Sequence, residues 1–147
     1  RERERERESF ADTVLSVSDG ITSFLFPLSV SSGFSNNPIG SFPASLFAYQ
    51  GALKTRLNLA QCGIKSLPKT LFSSVTQVMR LSLNDNAITT LPSGVFSALT
   101  NANLLDLNGN KLTSLPQDIF YFTTMLKSIT LHHNDLASLP SGVFDRL

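Results

Sequence analysis

The chain has 147 residues, with 12 Lys and Arg against 11 Asp and Glu, one cysteine and no tryptophan. That length is one domain or a piece of one, and a single thiol excludes an internal disulfide and any zinc site built from several thiolates. A net charge of +1 argues against a basic nucleic-acid footprint and a polybasic membrane patch, so neither a nucleic-acid partner nor direct membrane contact is expected.

Residues 1–8 are Arg-Glu repeated four times. The tract has no apolar face and is too short to hold a solvated helix alone, so it reads as a disordered low-complexity segment. It takes four charges of each sign, which leaves residues 9–147 with 8 basic and 7 acidic side chains, the latter all Asp. The chain does not start with Met, and a fragment is the expectation. Residues 20–53 contain no charged side chain. Pro27, Pro38, Pro43 and many serines interrupt that stretch, so no membrane-spanning helix is predicted in it. Residues 9–32 allow two readings. Ile21 to Val30, followed by Ser31-Ser32-Gly33, resembles a signal-peptide core with its cleavage region. Alternatively the segment is a degenerate repeat or an N-terminal cap, since Ile21-Thr-Ser-Phe24 echoes Ile39-Gly-Ser-Phe42.

From residue 57 a period of 24 takes over, and a period outranks local structure signals. Leu57-Asn-Leu59-Ala-Gln-Cys62-Gly-Ile64 recurs at Leu81, Leu105 and Ile129, and Leu67-Pro68 recurs at Leu91, Leu115 and Leu139. An earlier copy, one residue out of step, runs through Asn37, Ile39, Phe42-Pro43, Phe47 and Leu53. Repeats are therefore assigned to residues 33–147, about five in number and the last of them cut short. Leu-x-Leu alternates with period two, so it predicts a short strand with both leucines on one side. A return of 24 residues suits a crossover between parallel strands and is far longer than a hairpin needs. Identical crossovers stack into a solenoid with the leucines inside. Phe72, Phe96, Phe120 and Phe144 keep the same period, Phe47 of the earlier copy precedes them one residue out of step, and the five are read as a stacked spine. Asn86, Asn110 and Asn134 fall where the chain turns inward, where an amide can satisfy loop backbone groups. Cys62 occupies that slot one repeat earlier, as a small buried substitute with an inert thiol. These four are assigned a structural role.

The pattern Leu-x-Leu-x-x-Asn-x-Leu-x-x-Leu-Pro-x-x-x-Phe-x-x-Leu resembles the 24-residue form of the leucine-rich repeat family. The stretch Leu139-Pro-Ser-Gly-Val-Phe-Asp-Arg-Leu147 is similar to repeats of variable lymphocyte receptors and Toll-like receptor ectodomains. Two departures stand out: no cysteine-clustered cap, and Thr123 where leucine is expected after Phe120. The resemblance implies an α/β-type solenoid, a right-handed coil with a parallel sheet on its concave side and short helical or irregular convex segments. It also implies protein recognition on the concave side and an extracellular or cell-surface setting, with a cytoplasmic scaffold as the alternative.

Strand residues between the leucines point away from the core, so the candidate partner-binding set is Arg56, Asn58, Arg80, Ser82, Asn84, Asp106, Asn108, Thr130 and His132. The mixture is small and polar, suited to adaptable hydrogen bonding. His132 and His133 are adjacent, and neighbours on a strand diverge, so they make a poor chelate. Asp106 and His132 share a face one repeat apart, and an acid–base pairing between them is conceivable. No nucleophile, oxyanion hole or phosphate loop accompanies them. The reading is a non-catalytic recognition module without a cofactor, bound to a protein ligand. The alternative is a repeat annex of an enzyme whose catalytic domain lies outside this chain.

Overall fold

In a computed structural model of the chain, the described residues are 31–33, 35, 36, 47 and 55–147. The Arg-Glu tract, the signal-peptide-like stretch before Ser31 and most of the early copy (Phe47 aside) lie outside them.

The sheet has five parallel strands in chain order: β1 (Ser31–Gly33), β2 (Arg56–Asn58), β3 (Arg80–Ser82), β4 (Leu104–Asp106) and β5 (Ser128–Thr130). Leu57, Leu81, Leu105 and Ile129 are successive register partners, as a period of 24 requires. β1 pairs Ser31 with Arg56, a step of 25 that carries the extra residue of the early copy. Pairing continues beyond the three-residue strands. The Leu83 and Asp85 N–H groups donate to the Asp106 and Asn108 carbonyls, and those of Leu107 and Gly109 donate to Thr130 and His132.

The return path is a chain of tight turns. Val95 N–H donates to Pro92 O, Ser97 to Gly94, Leu99 to Phe96 and Ala102 to Leu99, and the neighbouring repeats copy this series. These are i to i+3 bonds separated by unbonded residues, and no helix forms among the described residues. Proline is tolerated at the first position because that residue serves the turn through its carbonyl, so its missing donor is not needed there.

Each repeat places its apolar side chains in one continuous core. Phe72, Phe96 and Phe120 are fully buried. Phe47 stacks on Phe72 at 6.2 Å between centroids, and Phe72 on Phe96 at 6.0 Å. Two further ladders escaped the sequence reading: Leu71, Val95, Ile119 and Val143 just before each phenylalanine, and Val78, Ala102 and Leu126 just before the next strand. Thr123 is 1% exposed, and its hydroxyl donates to the Phe120 carbonyl at 3.1 Å, so the polar replacement is satisfied within its own turn. Packing thins along the last repeat, which has a neighbour on one side only. Leu115 is 5% exposed, whereas Leu139 in the same slot is 49% exposed. Phe144 stacks on Phe120 at 5.7 Å yet stays 40% exposed, so the interior spine expected there is covered on one face alone.

Candidate functional site

The side chains alternating with the buried leucines form a polar sheet face. Arg56, Arg80, His132 and Ser128 are exposed, and Asn58, Ser82, Asn84, Leu104, Asp106, Asn108 and Thr130 are half-buried. The nine candidate residues therefore occupy one face across β2 to β5 and the segments just after these strands. Most of the groups there are tied to one another. The Thr130 hydroxyl and the Asn108 N–H both donate to Asp106 Oδ1. Asn108 Nδ2 meets His132 Nε2 at 3.2 Å, Asn84 Nδ2 donates to Asp85 Oδ2 at 2.8 Å, and Asn58 Oδ1 accepts from the Ala60 N–H.

Two expectations are corrected by this network. Asp106 and His132 are not bonded to each other: the Thr130 hydroxyl and Asn108 N–H donate to Asp106 Oδ1, and the His132 imidazole meets the Asn108 side chain instead. His132 and His133 do not diverge as strand neighbours. β5 ends at Thr130, and His133 turns into the left-handed region at φ 53°, which lays the two rings edge to face at 4.9 Å. Among the described residues no three His, Cys, Asp or Glu side chains gather to hold a metal ion.

The turn at His133 recurs in every repeat. Asn36, Gln61, Asp85, Gly109 and His133 all have φ between 53° and 63°. This conformation strains L-residues, though Asn, Asp and His tolerate it better than most. Of the five, only Gly109 adopts it without strain. A Cβ at Gly109 would also collide with the Asp85 carboxylate. The twist aims the next residue inward, where the amides work. Asn86 Oδ1 accepts from the Cys62 and Ile64 N–H groups at 2.9 and 3.1 Å, and its Nδ2 donates to the Leu59 and Leu83 carbonyls, both at 2.9 Å. Asn110 joins Ile88 N–H, Leu83 O and Leu107 O. Asn134 joins Leu112 N–H, Leu107 O and Leu131 O. Cys62 is fully buried, with its thiol 3.3 Å from the Ala60 carbonyl. Each amide thus sews two successive repeats together and holds the sheet face in place from behind.

A parallel sheet with period 24, an inward amide ladder and a polar outer face define a leucine-rich-repeat solenoid. The leucine rich repeat family model matches residues 55–112 and 100–147, and the chain belongs to this family. No curated protein sequence matches it significantly. Among solved structures, the APL1 leucine-rich repeat domain is 27% identical with a TM-score of 0.72, the alignment covering 76% of this chain and 29% of that one. A structure of the Toll–Spatzle complex, from Drosophila, matches at 30% identity and a TM-score of 0.68, covering 73% of this chain and 14% of that one. TLR13 in complex with ssRNA13 matches at 32% identity and a TM-score of 0.69, over 80% of this chain and 16% of that one. The chain spans under a third of the length of each.

The TLR13 structure overturns the expectation that a balanced charge excludes nucleic acid. Single strands are held by stacking, base-edge hydrogen bonds and a few well-placed cations, none of which requires a high net charge.

Proposed function

We propose that this chain is a non-catalytic recognition module that binds a protein partner through the polar sheet face, on the concave side of the solenoid. The observation that carries the reading is the in-register face itself: four consecutive strands present hydrogen-bonding and charged side chains over one continuous apolar core. Pre-organisation of this kind lowers the ordering cost of association. Relatives solved as the LRIM1/APL1C and Toll–Spatzle complexes give a protein partner a precedent in the family. By the same resemblance the module is assigned to an extracellular or cell-surface protein.

The test is a paired titration by calorimetry against a captured protein partner. Substituting Arg80, Asp106 and His132 together should abolish binding. Substituting Lys69 and Lys111, exposed residues off the sheet face, should leave it unchanged. A partner indifferent to the triple substitution would place recognition on another surface.

A further inference from the structure

We propose that Arg56 and Arg80 form a cationic clamp for an acidic segment of a protein partner, two carboxylates followed by an apolar residue; the proposal rests on the sheet-face reading above. The two residues are register partners on β2 and β3, both exposed, with backbones about 4.8 Å apart. Like charges directly opposite each other repel. Elsewhere on the face Asp106, Asn108, Asn84 and Asn58 have partners. Neither guanidinium has a hydrogen bond or ion pair to any described residue. Among the described residues the charge of the pair is left unanswered.

Its surroundings favour an incoming acceptor. Arg56 and Arg80 line an open pocket of about 380 Å³ with Thr55, Met79 and Asn103. The Thr55 carbonyl already accepts from the Met79 and Arg80 N–H groups, the Met79 carbonyl from Asn103 and Leu104, and the Asn103 carbonyl from Lys127 and Ser128. The backbone acceptors of the wall are therefore occupied, and the donors on offer are two planar forks that match carboxylates bidentately. The row then continues from Arg80 into Leu104, its register partner on β4, and Met79 beside it is 42% exposed. Two cations followed by an apolar surface complement an acidic segment that ends in an apolar side chain. A phosphate backbone would call for further cations or stacking rings along the row, where this face has Leu104 and Ser128.

Titrations of the full chain labelled at the arginine Nε would follow the two side-chain signals by magnetic resonance. The probes are a blocked peptide with two adjacent glutamates and a leucine, its glutamine twin, and an oligouridine single strand. The acidic peptide should move both signals saturably, and the twin should bind about tenfold more weakly. Arg56→Gln and Arg80→Gln should each weaken the acidic peptide by a similar factor, while Lys69→Gln should not. Equal binding of the twin, silent arginine signals, or tighter binding of the RNA at these arginines would overturn the clamp. A protein partner lost on substitution of Asp106 and His132, yet indifferent to Arg56→Gln with Arg80→Gln, would overturn the clamp alone and leave the sheet-face reading standing.

Discussion

Asn110 shows how one side chain serves two repeats. Its amide donates into the carbonyls of Leu83 and Leu107 and accepts from Ile88 N–H, and the residue is buried. Removing that amide strands backbone groups away from water, so Asn110→Ala should cost about 1–3 kcal/mol. Asn84, two residues before the equivalent position in its own repeat, bonds only the neighbouring Asp85 carboxylate through its Nδ2. Asn84→Ala should therefore stay within about 0.5 kcal/mol. Denaturant titration of the two variants separates them, and equal losses would contradict this division of labour. The inward amides were legible because period and residue type coincide. The left-handed turn before them was not, because its column holds Gln61, Asp85, Gly109 and His133, with no residue type in common. There the tertiary register imposes a conformation that the residues by themselves disfavour.

At the scale of one repeat, stability is shared with the neighbours. Phe96 is fully buried and stacks on Phe72, whereas Phe144 stacks on Phe120 with 40% of its surface exposed. Phe96→Ala should lose about 3–5 kcal/mol through transfer and cavity terms. Phe144→Ala should lose under about 2 kcal/mol, since less apolar surface returns to water. Melting or urea unfolding of both variants tests this gradient, and equal destabilisation would mean that the last repeat is as tightly held as the interior ones. Strand positions and the phenylalanine period were readable because burial at these slots follows one clock. The form of the return path was not. Short runs between Pro and Phe fit a helical turn or an irregular loop equally well, and the Pro92, Gly94, Phe96 and Leu99 carbonyls decide for separate turns.

Whole-molecule geometry limits the affinity. Five strands at about 4.8 Å spacing span roughly 24 Å, and about five residues in each paired segment, strand and continuation together, give about 16 Å of height. The projected sheet face is then about 400 Å², against roughly 800 Å² per partner in a standard stable interface. This chain alone should bind a protein partner no more tightly than about micromolar. Calorimetry against such a partner measures it, and nanomolar affinity would show that surfaces beyond the sheet contribute. The similar solved structures are longer chains, of which this one spans 13–29%.

Periodicity alone determined the solenoid: the 24-residue spacing of Leu57, Leu81, Leu105 and Ile129, the inward asparagines and the phenylalanine column leave one way to bury a repeated apolar face. Which outward groups remain unanswered was decided only by the tertiary structure. Arg56 and Arg80 are register partners in one column, whereas Asp106 and His132 stand in adjacent columns and meet Thr130 and Asn108, their own register neighbours, instead of each other. The two arginines are left facing solvent side by side. A repeat fixes the column in which a side chain stands, but its partner depends on what the adjacent strands present at that register, and that pairing exists only once the coils have stacked.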